Sequence, residues 1–229
     1  MRQAEGVFRL GSDSEALGGF TQVKKKEKVL DLGCGGGVLG LYLLARERSI
    51  QVTGLELNPD AVELARENFA ANGLDAGVVQ GDMRSVRELF PAGHFDLVIS
   101  NPPYYDPGRG FSSRTDILAT ARNERSGDIF DVCRTAGQAL KWGGRFYVCY
   151  PPVRLADLME ALRAQKLEPK TMRLVFPDER HAPCLVMVEA RKGGGAGLNI
   201  LPSLMIARNG EKTEEFKRIY QLEEDQDAR

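Results

Sequence analysis

Asn101-Pro102-Pro103-Tyr104 closes the apolar run Phe95-Asp96-Leu97-Val98-Ile99-Ser100. An amide oxygen on Asn101 and the carbonyl of Pro102, held side by side by the stiff proline backbone, make two adjacent acceptors. Such a pair takes both hydrogens of a planar amino group, draws its lone pair out of conjugation and leaves the nitrogen open to attack an electrophile. No strong general base is required. The Tyr104 ring would stack on the acceptor's flat face, an interaction worth about 1 to 3 kcal/mol per base at such platforms. Tyr105 either extends that wall or packs. Asn101, Pro102 and Tyr104 are therefore the catalytic candidates, although double proline after a strand also makes a rigid turn in any protein.

The electrophile has its own signal. Asp31-Leu32-Gly33-Cys34-Gly35-Gly36-Gly37 leaves one apolar run and enters a helical one. Glycines there permit a tight turn and let a ligand lie against bare backbone at a helix N-terminus. Glu56, about twenty residues on, ends the next strand where a carboxylate accepts from a ribose diol, and Leu57 lies beside it. Asp82, in Gln80-Gly81-Asp82-Met83, is placed to meet the amino edge of an adenine. The cofactor-binding candidates are Asp31, Gly33, Gly35, Gly37, Glu56, Leu57, Asp82 and Asn101. Gly35-x-Gly37-x-x-Gly40 also satisfies the dinucleotide fingerprint, which alone is weak. Asp31 ahead of alternating glycines resembles the S-adenosylmethionine signature more closely, and NAD leaves the tetrapeptide unexplained. A turn that binds nothing fits poorly with acidic residues at two further strand ends.

Apolar strands over residues 28–32 and 51–55 alternate with helical stretches over 38–46 and 59–72, a rhythm that predicts a parallel sheet. In the second helix Asn58 caps, Pro59 suits the first turn, Val62, Ala65 and Phe69 make one stripe, and Gly73 closes the end. Strands follow over 76–79, 95–99 and 145–149, the last after a Gly143-Gly144 turn, with helices over 129–140 and 154–165. Residues 171–176 and 184–189 form two strands with no helix between them, hence antiparallel. The expected fold is α/β and Rossmann-like, of the class I methyltransferase type. It has a seven-stranded, mostly parallel sheet with an antiparallel last strand and helices on both faces. The order of such a sheet reverses between its first and fourth strands, which brings Asn101 to the crevice where the donor lies. Residues 1–27 read as a segment covering the cleft, 28–192 as the methyltransferase domain, and 193–229 as a hairpin or short helix with an acidic tail. Gly11 and Asp13 precede the fold proper, and Asp13 reads as the N-cap of a helix over 14–20.

With 229 residues, 42% hydrophobic, the chain suffices for one substantial core. A formal net charge of -1 gives no global basic field, so any nucleic-acid contact must be local. Arg109, Arg114 and Arg122, in the loop after the tetrapeptide, are the phosphate-contact candidates, with acidic Asp106, Asp116 and Glu124 interspersed. Four scattered cysteines and two histidines argue against zinc and against a disulfide framework. With no apolar run near the roughly 18 residues that span a bilayer, no membrane association is expected, and a reducing cytoplasm fits best.

The residues resemble the bacterial adenine-N6 methyltransferases that modify the adenine beside the anticodon of a valine tRNA. Beyond the motifs above, the resemblance includes Phe8-Arg9-Leu10-Gly11-Ser12-Asp13-Ser14-Glu15-Ala16-Leu17, Ala121-Arg122-Asn123-Glu124, Pro152-Val153-Arg154-Leu155 and Leu167-Glu168-Pro169-Lys170. The ending, with Gly210-Glu211 and Ile219-Tyr220, is similar to the Gram-positive-type branch. Members usually carry further residues ahead of the Phe8 segment, so this chain is expected to start late. The resemblance implies S-adenosylmethionine as cofactor, S-adenosylhomocysteine as product, and tRNA as partner. It also implies that the segment of Gly11 and Asp13 folds over the donor, the alternative to the N-cap reading of Asp13. The tetrapeptide is shared with glutamine-N5 methyltransferases of release factors and guanine-N2 enzymes of ribosomal RNA. The first is disfavoured because no helical substrate domain precedes the donor motif. A non-catalytic nucleotide-binding module is the remaining alternative.

Overall fold

The computed structural model describes residues 12–102 and 128–220. Tyr104, Tyr105, Arg109, Arg114 and Arg122, with Pro103 and the acidic tail, lie outside the described residues.

The chain winds through β1 (Lys28–Leu32), α2 (Val38–Arg46), β2 (Gln51–Glu56), α3 (Pro59–Ala71) and β3 (Gly77–Gln80), with α1 (Ser12–Phe20) ahead of them. Then come α4 (Val86–Leu89), β4 (Phe95–Ser100), α5 (Ile129–Ala139), β5 (Leu140–Tyr150), α6 (Leu155–Ala164), β6 (Leu167–Phe176) and β7 (Leu185–Lys192). The main strands lie in the order β3-β2-β1-β4-β5-β7-β6, and β7 runs antiparallel to both neighbours while the other pairs are parallel. The expected fold class is the one observed.

Alternation along the strands divides the core in two. Val29, Leu97, Ile99, Tyr147 and Cys149 face α1, α2 and α3; Leu30, Leu32, Val98, Phe146 and Val148 face α4, α5 and α6. Asn101, two residues past Ile99, falls on the side of α1. Gly40 admits α2 to its place: a Cβ there would lie 2.9 Å from the Phe69 ring and 3.0 Å from Val52. The third glycine of the dinucleotide-like pattern thus has a packing reason.

Several features differ from expectation, among them the end of β7, which runs to Lys192 rather than 189. Among the described residues the sheet carries nine strands, because the two-residue β8 (Asn199–Ile200) and β9 (Leu204–Met205) pair with β6 at the sheet edge. Strands that short show no alternation to read. Gly143-Gly144 lies inside β5, where the register with β4 jumps from Phe95↔Leu140 to Leu97↔Arg145. The intervening residues are accommodated as a bulge with Gly143 at φ 80°. β6 starts four residues early, with Pro169 at its register shift against β7. Finally, α1 begins at Ser12, so Asp13 occupies its first turn rather than its cap.

Beyond β9, Ala207–Arg208 and Glu211–Lys212 pair as β10 and β11 around Asn209-Gly210, both at positive φ, before α7 (Glu214–Tyr220). Phe216 of α7 is buried with α1 and α2.

Candidate active site

The loop from β1 into α2 is pinned from two sides. The backbone N–H groups of Gly33 and Cys34 both donate to the Leu55 carbonyl at 2.8 and 3.2 Å, and the Asn68 amide of α3 donates to the Gly36 carbonyl at 2.9 Å. Gly33, Gly35 and Gly37 all take positive φ, at 72°, 52° and 83°. A Cβ on Gly33 or Gly35 would meet nothing within 4 Å among the described residues, which leave the inner side of the turn an open cradle of bare backbone.

Two carboxylates border it. Glu56 accepts the Gly35 N–H at 2.9 Å on one oxygen and the Asn58 N–H at 2.8 Å on the other, which leaves lone pairs for a diol. Asp31 is fully buried; one oxygen accepts the Gly40 N–H at 3.1 Å and the other has no hydrogen-bond partner among the described residues. Burial, opposed by the Gly40 N–H and aided by the charge of Glu56, pushes the Asp31 carboxyl up to about 7. Leu57 presents 42% of its surface at the end of β2. An open glycine cradle, an acceptor for a diol and an orphaned buried carboxyl fit an adenosyl amino acid carrying a cationic amine. Asp82 is differently engaged: it caps the turn at Arg84 N–H, and both oxygens meet the Arg84 guanidinium, which holds its carboxyl below the usual range. To meet an adenine edge it would have to release Arg84.

β4 delivers the acceptor side. β1 and β4 pair with Asp31 opposite Ile99, and the Ser100 hydroxyl donates to the Leu32 carbonyl at 2.8 Å. Asn101, the next residue, is thereby held beside the start of the glycine loop. The Asn101 amide donates from Nδ2 to Ser14 Oγ at 3.0 Å, and its Oδ1 accepts the Cys149 thiol at 3.1 Å. Pro102 is buried beside it. Asp31, the three glycines, Glu56 and Asn101 thus converge on the carboxyl edge of β1, β2 and β4, with Asp82 one strand further out.

Sequence reasoning missed Ser14, Asn68 and Cys149. Asn68 was visible in principle, as a polar residue on the buried α3 face of Ala61, Leu64 and Ala65. Ser14 and Cys149 meet Asn101 only through strand order and helix docking, which leave no local signal.

Asp31 supplies a pH prediction. Its carboxyl keeps its proton to about pH 7 in the native state, against an ordinary 3.8. The native state therefore binds more protons at this carboxyl across that window, so the stability Asp31 contributes is full below about pH 4 and is lost as the pH rises to about 7. The linkage is worth on the order of 4 kcal/mol. The ligand-free protein is expected to lose thermal midpoint between pH 5 and 8, and Asp31→Asn to flatten that slope. An unchanged slope in the variant would assign the titration to another group.

Strand order and the glycine cradle at the end of β1 together define a Rossmann-like methyltransferase fold. The chain belongs to the methyltransferase small domain family, whose model matches residues 3–153. It is 29% identical over 204 residues, 85% of its length and 77% of the relative's, to the tRNA1(Val) (adenine(37)-N6)-methyltransferase of Dickeya chrysanthemi. It is 38% identical over 107 residues, 45% of its length and 31% of the relative's, to ribosomal RNA small subunit methyltransferase C of Actinobacillus pleuropneumoniae. Its fold is similar to that of a predicted O-methyltransferase from Agrobacterium tumefaciens, with a TM-score of 0.74 at 23% identity over 90% of this chain and 94% of that one. The chain is accordingly an S-adenosylmethionine-dependent N-methyltransferase. Among the described residues no helix is long and apolar enough to cross a membrane, and no cluster of three metal-ligating side chains occurs.

Proposed function

We propose that this methyltransferase acts on adenine N6 in tRNA, in the anticodon loop of a valine tRNA, and hence in the cytoplasm. The observation that carries the reading is the Asn101 carboxamide at the end of β4, tied through Ser100 to the glycine loop. The similarity over 85% of the chain to a relative named for that reaction supports the choice of base and polymer.

Asp31, Gly33, Gly35, Gly37, Glu56 and Leu57 would hold S-adenosylmethionine, which supplies a methyl group on a sulfonium. The remaining work falls to the acceptor residues. Asn101 Oδ1 and the Pro102 carbonyl accept the two amino hydrogens, which holds the nitrogen lone pair out of the ring plane and stabilises the positive charge that grows there. An adenine must be unstacked to enter such a clamp, and a loop base costs least to extract. Tyr104 and Tyr105 are assigned to stacking, and Arg109, Arg114 and Arg122 to phosphates, on sequence grounds.

Mass spectrometry of nucleosides from tRNA incubated with enzyme and donor tests the assignment, with N6-methyladenosine as the expected product. Similarity to the ribosomal RNA enzyme keeps guanine N2 as a second reading. N2-methylguanosine from ribosomal RNA would establish that one instead, and methyl label confined to a release-factor glutamine would remove both.

A further inference from the structure

A carboxamide offers an oxygen on one side and an NH2 on the other, and a half-turn about its last bond exchanges them. If Asn101 receives an acceptor's amino hydrogens, only one orientation is productive; the other confronts donor with donor. We infer that Cys149 is a positioning residue that selects the productive orientation of Asn101, with Ser14 holding the opposite end of the amide. The inference rests on the acceptor role proposed for Asn101.

The geometry follows from the sheet. β4 and β5 run parallel with Ser100 opposite Val148, so one step further places Asn101 beside Cys149 on the face toward α1. Cys149 is fully buried, and its Sγ lies 3.1 Å from Asn101 Oδ1. A thiol has one hydrogen to donate, and its sulfur is a weak acceptor. With the amide reversed, Nδ2 would face that sulfur and the thiol hydrogen would have no oxygen to reach. Burial pushes the Cys149 thiol well above its ordinary range, so it remains a donor at any working pH. Ser14, buried on α1, accepts from Nδ2 at 3.0 Å, but a hydroxyl serves either orientation. Cys149 therefore breaks the tie. One lone pair of Oδ1 is occupied by the thiol, and the second is left for an incoming amino hydrogen.

The test compares methyl transfer by the full chain and its variants. Cys149→Ala is expected to lower kcat about five- to tenfold, the loss of one net hydrogen bond in orienting the clamp. The KM for the acceptor and the calorimetric affinity for S-adenosylmethionine should stay within about twofold, as neither contact involves the thiol. Cys149→Ser, which restores a donor in nearly the same volume, should recover most of the rate. In an Asn101→Ala background, Cys149→Ala should have no further effect, because the group it orients is gone. Wild-type kcat in Cys149→Ala, a loss that serine does not rescue, or the same factor lost in the Asn101→Ala background would each overturn the inference. Wild-type enzyme assayed on tRNA, ribosomal RNA and a release-factor fragment isolates the substrate assignment. The variant ratio is read on whichever acceptor is methylated, so a wrong substrate and a wrong role for Cys149 give different results.

Discussion

Asn101→Ala is expected to cut methyl transfer by about 10²- to 10³-fold, the scale seen when one preorganised group facing transition-state charge is removed. The acceptor nitrogen begins neutral and becomes cationic, so an oxygen at a fixed place matters far more to the transition state than to the bound substrate. The loss should therefore appear in kcat rather than in KM. The glycine cradle and its Leu55, Asn68 and Glu56 anchors do not pass through Asn101, so donor affinity should change little. Single-turnover transfer and calorimetric donor binding on one preparation check both halves. Arg180→Ala, on an exposed side chain between β6 and β7, serves as the control and should behave as wild type. Comparable loss in the two variants would detach the tetrapeptide from chemistry.

How far the sequence reveals this site depends on the distance over which each feature is determined. Helix α3 was legible to its ends because its signals are local: Asn58 accepts the Asp60 N–H at 3.0 Å, and Gly73 turns the chain at φ 62°. The glycine loop was legible for the same reason, since positive φ is a property of a residue and its neighbours. Parallel strand order came from the βα rhythm, and it alone predicts that residues near 31, 56 and 101 share an edge. What failed was set elsewhere in space. The early start of β6 depends on a register shift between Pro169 and Thr171 in its pairing with β7, and β8 and β9 exist only because the β6 edge is there to pair with. Ser14 reaches Asn101 across 87 positions and Cys149 across 48, separations at which no pattern in one sequence carries information. The Asp82–Arg84 pair is the opposite case. Its partners are two residues apart, yet nothing in that spacing shows that the guanidinium takes both carboxylate oxygens.

The second large effect concerns how α1 is held over that edge. Arg145, on β5, sends one guanidinium nitrogen to both oxygens of Glu27 at 2.6 and 2.7 Å, and another to the Gln22 carbonyl at 2.5 Å and the Tyr147 hydroxyl at 3.2 Å. Glu27 also accepts the Lys24 N–H at 2.7 Å, and the Arg145 and Glu27 side chains are only 9% and 12% exposed. Arg145→Met would strand Glu27 in a poorly solvated site, and breaking such a pair from one side costs about 3 to 5 kcal/mol. For a chain of this size that corresponds to a thermal midpoint lower by roughly 10 °C. Replacing both partners, Arg145→Met with Glu27→Leu, should recover much of the loss, because the cost lies in the unpaired charge rather than in the missing attraction. The hub also secures the segment that connects α1 to β1, and Phe20 at the end of α1 packs edge-on against Tyr147 with ring centroids 5.8 Å apart. α1 carries Ser14 to Asn101, so Arg145→Met assayed well below its midpoint should lose turnover beyond its unfolded fraction. Arg145→Met/Glu27→Leu separates the two consequences. If it regains stability without regaining rate, the ion pair sets the position of α1; if both return together, the pair acts on folding alone.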